Sequence, residues 1–351
     1  MKSLLGAHVL SKRKSEHLKI CLEKDVSSAV TTGLERYRLI HEALPEISLA
    51  EVDLSVEFLG RRLQAPILIS AMTGGAAEAH EINRRLARAA QEFGLAMALG
   101  SQRAALENPA LMSTYHVRDV ALDIPLLANI GAVQLNEGYD VETCRRAVES
   151  VGADALVLHL NPLQEALQPE GDTNFRGLAA KIETLCQNLS VPVLVKEVGY
   201  GLSLKTAQRL RQAGVWGLDI AGAGGTSWSK VEAYRARTAE EAQVAAAFTD
   251  WGIPTAEALV MLRTAWPDWP LIASGGIRNG VEAAICLALG ANLVGMARPL
   301  LQAAAESPEA LASRLRVFLR QLRIAMFCTG ARTVADLNPT HVVKRDPYGT
   351  P

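Results

Sequence analysis

The sequence predicts an α/β protein built as a (β/α)8 TIM barrel with an N-terminal extension, and three observations point there. A phrase recurs in which an apolar-periodic segment ends at glycine and a short hydrophobic run begins: "FGLAMALG" at 93, "VGADALVLHL" at 151, "AGVWGLDIAG" at 213 and "LGANLVGMAR" at 289. Further runs, "APILISAM" at 65, "IPLLANIG" at 124, "VPVLVKEVG" at 191 and "WPLIASGG" at 269, bring the strand candidates to eight. Each of the eight gives way to a polar or glycine-rich stretch. A helix closed by a left-handed glycine and followed by a strand buried on both faces is the repeating unit of a parallel sheet. Eight such units close a barrel. A doubly wound sheet is the alternative reading of the same pattern.

In chain order the predicted strands are 66–71, 95–99, 125–129, 154–159, 193–197, 216–220, 270–274 and 292–296. Proline leads into several of them, which suits the first position of a strand. Amphipathic periodicity predicts helices at 78–93, 140–150, 203–213 and 280–289. Residues 1–20 carry "SKRKSEH", are polar, and are expected to be mobile in isolation. Residues 20–64 have no clear period and are expected to cap the barrel floor. The segment 225–240, "GTSWSKVEAYRARTAE", reads as a long polar loop after strand six, of the kind that is functional or disordered. The tail after 331 is polar, with Pro339, Pro347 and Pro351. The organisation expected is an N-terminal extension and cap over 1–64 with a mobile basic lid at 1–20, a barrel over 65–330, and a C-terminal tail over 331–351.

Composition narrows the function. Of 351 residues, 49% are apolar and 21% charged, and the formal net charge is -1. No global field favours nucleic acid or an anionic membrane, so an anionic ligand must be held by local groups. The five cysteines are scattered without a C-x-x-C pair, which argues against structural zinc and against a disulfide framework. A reducing, cytoplasmic compartment is expected. The N-terminus does not read as a secretory signal, and no window approaches 18 uninterrupted apolar residues, so no transmembrane helix is expected.

Chemistry in such a barrel lies where the strands end. Those places read "SAMTGG" (70–75), "LGSQR" (99–103), "ANIG" (128–131), "HLNPLQE" (159–165), Lys196 with Glu197, "GAGGTSW" (222–228), "SGGIR" (274–278) and "MARPL" (296–300). Gly275 and Gly276 let backbone N–H groups approach a phosphate at the start of the next helix, with Arg298 adjacent. The competing reading is a tight turn that needs positive φ. Lys196 ends a buried strand and must find an anion or shift its pKa; it faces a ligand or an internal partner, Glu197 or Asp219. "SQR" is also consistent with a helix cap at Ser101 and a solvated Arg103. His159 is also consistent with a core histidine. "RKSEH" is also consistent with a solvated tail, or with a lid over an anion. Glu165 is a hard oxygen donor that suits Mg2+, which takes few protein carboxylates, and Gln164 can aim an amide at a reacting carbon or a water.

"RKSEH", "MTGG", "GSQR", "HLNPLQE", "VKEVG", "AGAGGTSW" and "SGGIR" occur in this order over nearly the whole chain. Together they resemble type II isopentenyl-diphosphate isomerase, the flavin-dependent class. "SGGIR" is common to many flavin barrels; "HLNPLQE" with "GSQR" and the N-terminal "RK" is the specific part. The resemblance implies an isomerase that interconverts isopentenyl and dimethylallyl diphosphate by reduced-flavin-mediated protonation and deprotonation, with no net redox change. It implies FMN and Mg2+ as cofactors, with NADPH or another reductant charging the flavin. Carried over residue by residue, FMN touches Ala71, Met72, Thr73, Gly74, Ser101, Asn129, Lys196 and Thr226, with its phosphate at Gly275, Gly276, Ile277, Ala297 and Arg298. Substrate diphosphate meets Arg13, Lys14, Ser101, Gln102 and Arg103. Gln164 lines the substrate, His159 lies near the diphosphate, and Glu165 holds Mg2+. Catalytic work falls to Gln164, His159 and Lys196, with Lys196 at the flavin N1–C2=O edge. The family likeness also implies a homotetramer or octamer, and the net charge and hydropathy lead to the expectation of no nucleic-acid or membrane partner.

Two rival classes stand beside this reading. An FMN-dependent oxidoreductase of the hydroxy-acid oxidase type would carry H-G-x-R after strand seven, where this chain has "SGGIR"; a nucleotide dehydrogenase would need a rim cysteine, and Cys186 and Cys286 fall on predicted helices. A non-enzymatic flavin- or phosphate-binding protein is the other.

Overall fold

Eight short parallel strands close on themselves inside a ring of helices; the structure, a computed structural model, describes residues 2–345, with side chains from Arg13 onward except that of Ala77. Of the expected basic lid and C-terminal tail, Met1 and residues 346–351 lie outside the described residues. A helix α1 (Lys2–Glu23) leads, followed by a short strand β1 (Tyr37–Leu39) and the hairpin β2 (Val56–Phe58) and β3 (Arg61–Leu63). The barrel then alternates β4 (Ile67–Ile69), α2 (Ala77–Phe93), β5 (Ala96–Ala98), α3 (Arg103–Glu107), β6 (Leu126–Gly131), α4 (Val141–Glu149) and β7 (Ala155–His159). It continues through α5 (Pro162–Leu167), α6 (Leu178–Asn188), β8 (Val193–Lys196), α7 (Leu204–Gln212), β9 (Gly217–Asp219), α8 (Trp228–Arg235), α9 (Ala239–Ala246) and α10 (Thr255–Ala265). It ends with β10 (Leu271–Ala273), α11 (Gly280–Ala288), β11 (Leu293–Met296), α12 (Arg298–Glu306), α13 (Pro308–Phe327) and a last strand β12 (Val342–Lys344) that pairs antiparallel with β1.

All eight predicted barrel strands form, and closure is made by β11 on β4, with Val294 opposite Ile67 and Met296 opposite Ile69. The strand signal was strong because these residues are buried on both faces. Leu68, Ala96, Ala98, Leu127, Ala155, Val157, Leu194, Ile272 and Leu293 pack with one another as an inner core. Their alternate neighbours, among them Ile67, Met97, Leu126, Leu156, Val195 and Val294, pack outward under the helices. The four predicted helices form as well; α2 ends at Gly94 with φ 61°, the left-handed cap its sequence called for.

At the N-terminal end of the barrel the β2–β3 hairpin inserts Phe58 and Leu63 into the inner core, and Phe58 meets Trp216 edge-on with ring centroids 5.6 Å apart. At the C-terminal end the register sets Gly131, His159, Lys196 and Asp219 side by side on four neighbouring strands.

One expectation is corrected here. Residues 225–240 are not one long loop: they contain α8, whose inner face buries Ser229, Val231 and Glu232. The helix escaped detection because one of its buried positions is a carboxylate, which reads as solvated until its partners are known. No helix among the described residues is long and apolar enough to cross a membrane.

Candidate active site

A cavity of about 530 Å3 lies at the C-terminal mouth of the barrel, walled by residues from all eight strand ends and roofed by α1. Ala71, Met72, Thr73, Gly74, Ser101, Arg103, Asn129, His159, Gln164, Glu165, Lys196, Thr226, Gly275, Gly276, Ile277, Ala297 and Arg298 reach its wall, together with Arg13 and Lys14 from the roof. Residues far apart in the chain meet here because the barrel register brings the strand ends, and the loops just past them, to one rim.

One corner is built from backbone. Gly275 has φ 101° and Gly276 φ 78°, and a Cβ on either would overlap backbone of Gly222 or Gly224 in the neighbouring loop. Only glycine lets the two loops lie this close. Among the described residues, none of the N–H groups of Gly275, Gly276, Ile277 and Ala297 donates to a backbone carbonyl. Four free donors in the loops that lead into α11 and α12 make an anion seat of the kind that takes a phosphate. The Arg298 side chain does something the sequence did not suggest. It donates to the carbonyls of Cys21 at 2.9 Å and Lys24 at 2.7 Å, and so caps the C-terminal end of the roof helix.

The floor of the cavity is polar and buried. Lys196 donates to the Glu197 carbonyl at 2.6 Å, and burial pulls its pKa down against the opposing pull of Asp219 and Glu197. The internal ion pair considered for Lys196 does not form: its carboxylate neighbours bond elsewhere. Asp219 accepts from Ser274 Oγ at 2.5 Å. One oxygen of Glu197 accepts from the N–H groups of Val198, Gly199 and Tyr200 at 2.6, 2.7 and 2.6 Å, while burial pushes its carboxyl up to about 7. The Ser70 hydroxyl is buried on the cavity wall with no partner among the described residues. A buried hydroxyl without a partner is costly and asks for a ligand.

Loop four supplies the most connected cluster. His159 Nδ1 lies 2.9 Å from Asn129 Oδ1; an amide oxygen only accepts, so Nδ1 carries the proton and Nε2 keeps its lone pair. Burial first, then the charges of Lys196, Lys14, Arg13 and Arg103, push this imidazole down to about 3, so it is neutral at ordinary pH. Asn161 Nδ2 donates to Gln164 Oε1 at 3.1 Å and to Glu165 Oε1 at 2.9 Å. Gln164 Nε2 in turn donates to Glu232 Oε1 at 3.3 Å, so the amide of Gln164 has one orientation. Glu232 also bonds His17 Nε2 at 2.9 Å and Arg235 Nη1 at 2.6 Å. Burial works to raise the Glu232 carboxyl, but the bonds and charges of His17 and Arg235 outweigh it and hold it below the usual range. Burial lowers the His17 pKa against the opposing pull of the Glu232 carboxylate.

Glu165 is buried and takes the Asp172 N–H on its other oxygen at 2.7 Å. Among the described residues no cluster of three or more His, Cys, Asp or Glu side chains is arranged to hold a metal. An ion that keeps most of its waters and shares a ligand phosphate needs only one carboxylate. Asn161 Oδ1, buried beside Glu165 with no partner among the described residues, is a second oxygen donor. These donors fit Mg2+. The N–H seat, the orphaned Ser70 hydroxyl and Lys196 fit FMN.

The roof is cationic. Arg13 donates to Gln168 Oε1 at 2.9 Å, and Lys14 Nζ to the Ser101 carbonyl at 2.5 Å and the Tyr115 hydroxyl at 2.6 Å. Residue Lys14 is half-buried, but its amine tip is enclosed, and burial lowers it to about 7. Arg103 is paired with Glu107 at 2.8 Å and Asp172 at 2.5 Å, so it is not the solvated side chain one reading allowed.

Gln102 is the one expected site residue that does not reach the cavity. It is fully buried; its Nε2 donates to the Ala147 carbonyl at 2.8 Å and its Oε1 accepts the Asn129 N–H at 3.1 Å. It supports the wall from behind. Residues that sequence reasoning missed are His17, Trp228, Glu232 and Tyr115. His17 and Trp228 stack edge-on with centroids 5.2 Å apart at the cavity wall. "SEH" and "TSW" contained two of them, but nothing local paired one with the other.

A family profile described as FMN-dependent dehydrogenase matches residues 8–135 and 163–344. The chain is 55% identical over 336 residues to an isopentenyl-diphosphate delta-isomerase of Synechococcus sp., covering 95% of this chain and 97% of that one. It is 50% identical over 334 residues to the isopentenyl-diphosphate delta-isomerase of Nostoc sp., with 95% of each chain covered. Against that of Stutzerimonas stutzeri the identity is 53%, over 95% of this chain and 97% of the relative. Among solved structures, an active chimera of (S)-mandelate dehydrogenase superposes with a TM-score of 0.67 at 18% identity, over 97% of this chain and 98% of the other. A mandelate oxidase variant with a monooxide FMN adduct gives a TM-score of 0.63 at 20% identity, with 87% of each covered. At that identity the likeness is one of fold alone.

Proposed function

This chain belongs to the isopentenyl-diphosphate delta-isomerase family, within the wider FMN-dependent dehydrogenase family, and on that premise we propose how its rim performs the reaction. The protein is an FMN-dependent enzyme that interconverts isopentenyl and dimethylallyl diphosphate. One observation carries the residue assignment: a single cavity has two anion seats, the free N–H groups of loops seven and eight and the Arg13, Lys14 and Arg103 group across the barrel. A phosphorylated cofactor and a diphosphate substrate need two such seats.

In this reading the N–H groups of Gly275, Gly276, Ile277 and Ala297 hold the FMN phosphate, and Ala71, Met72, Thr73, Gly74, Ser101, Asn129 and Thr226 line the rest. When bound and reduced, FMN would supply the proton-transferring chemistry for the alkene. Lys196, buried at the cavity floor, would face the flavin there and stabilise negative charge on it. NADPH is the reductant proposed to charge the cofactor. The Arg13, Lys14 and Arg103 cations take the diphosphate, and Glu165 with Asn161 offers oxygens to a Mg2+ ion that shares it. The imidazole of His159 keeps a lone pair at Nε2, and it becomes a cation only if the diphosphate raises its low pKa. Trp228, Met72 and Leu18 give the prenyl chain an apolar wall. Protonating an alkene develops charge at a tertiary carbon, which water would trap, so the roof made by α1 must exclude solvent. Gln164 is held by Glu232 and Asn161 at the reacting end. A homotetramer or octamer in the cytoplasm, serving isoprene biosynthesis, belongs to the same proposal.

The test is deuterium exchange. With reduced FMN and Mg2+ in D2O, the purified protein should incorporate deuterium into isopentenyl diphosphate while forming dimethylallyl diphosphate. Oxygen uptake or NADH formation with hydroxy acids or nucleotides, without exchange, would establish the oxidoreductase reading instead.

A further inference from the structure

The amine of Lys14 is anchored by a side chain to which neither the sequence nor the family likeness gave a role. It donates to the Ser101 carbonyl at 2.5 Å and to the Tyr115 hydroxyl at 2.6 Å. The hydroxyl donates to the same carbonyl at 2.6 Å. A phenol has one proton; with that proton on the carbonyl, its lone pairs face the amine, and the triangle has one polarity.

Tyr115 cannot move away from this place. It is fully buried, and a Cβ on Gly74 would run into its ring. Its neighbour Thr114 accepts the Gly75 N–H at 2.9 Å, and Asn83 Nδ2 bridges the carbonyls of Thr73 and Thr114 at 3.3 and 3.0 Å. The ring is therefore part of the scaffold that shapes the 72–75 loop. A lysine ammonium has three donors, and two of them point to Tyr115 and Ser101. The third is left for the cavity that Lys14 lines.

We propose that Tyr115 is a positioning residue for the isomerase reaction: its hydroxyl fixes the Lys14 amine on the roof, so that the remaining N–H meets the substrate diphosphate without a search through lysine rotamers. Ordering before binding is where the affinity arises. The inference rests on the reading of Lys14 as a diphosphate ligand.

Tyr115→Phe removes one oxygen and keeps the ring that the 72–75 loop needs. In flavin-loaded enzyme the expected result is a rise of about tenfold in KM for isopentenyl diphosphate, with kcat changed by less than about twofold. The visible flavin spectrum and Tm should stay as in the parent enzyme. The same substitution in a Lys14→Met background should change KM no further, because the hydroxyl acts through the amine. An unchanged KM in Tyr115→Phe, or an equal rise in both backgrounds, overturns the proposal. A normal KM in Lys14→Met alone overturns the ligand role of Lys14 itself, and the two failures are thereby told apart.

Discussion

At the N-terminal end of the barrel Phe58, Leu63 and Trp216 stop the bore with apolar contacts; at the C-terminal end the same eight strands finish in Lys196, Glu197, Asp219, Ser70 and a row of glycines. Among the described residues four buried side-chain atoms lack a partner, Ser70 Oγ, Tyr139 Oη, Asn161 Oδ1 and Glu170 Oε2; all four lie on the upper side, and Ser70 and Asn161 line the cavity. Both ends belong to one closed sheet, so the difference is not in secondary structure. It lies in what the strand ends must face: a protein plug below, a ligand above. Unsatisfied and charged groups are gathered where something else completes them, and the apolar floor supplies the stability that this arrangement costs.

The contrast can be broken first from above. Gly275→Ala puts a Cβ onto the Gly222 carbonyl at a residue with φ 101°. The strain is on the order of 3 kcal/mol, and it falls on the phosphate seat. Flavin affinity should drop about a hundredfold or more, read by equilibrium dialysis of the apoprotein with FMN, and the purified protein should be pale. Retention of FMN at parental affinity would remove the glycine corner from the site.

Phe58→Ala tests the other end. A truncated buried phenylalanine costs about 3 to 5 kcal/mol, so Tm should fall markedly in a thermal melt. KM and kcat per folded, flavin-loaded molecule should be unchanged below the transition. A selective change in KM would mean that the floor and the rim are coupled.

The smallest effect sharpens the comparison. The folded-state pKa of Lys14 is depressed to about 7 from 10.5. Above about pH 7 the folded chain holds fewer protons than the unfolded one, so this residue's penalty is full below 7 and fades as pH rises toward its unfolded value. Lys14→Met should therefore stabilise the substrate-free protein most at pH 6 and hardly at all at pH 10. A Tm difference independent of pH would contradict the enclosed amine.

The barrel was legible in the chain because its signal is local. Runs such as "APILISAM" and "WPLIASGG" are apolar on both faces, and a glycine or proline marks each boundary. The glycine corner was legible for the same reason, since Gly275 and Gly276 announce a backbone that only glycine can adopt. What the sequence hid was pairing over long separations. Arg13 finds Gln168, His17 finds Glu232, and Arg103 finds Asp172. Read one at a time, each is a solvated polar residue. Gln102 misled in the opposite sense: it stands between two wall residues, Ser101 and Arg103, yet the turn into α3 sends its amide inward to Ala147. The helix α8 was taken for loop because Glu232 is buried only through its partners.

The last seam of the barrel, between β11 and β4, joins residues about 230 positions apart. Until Leu293–Met296 docks, the sheet is open at both margins, and the donor at Ala297 does not yet stand beside Gly275 and Gly276. A nascent chain still on the ribosome therefore has no finished place for the coenzyme. If, as proposed, the N–H groups of Gly275, Gly276 and Ala297 hold the coenzyme's phosphate, loading with the yellow prosthetic group must follow closure of this seam.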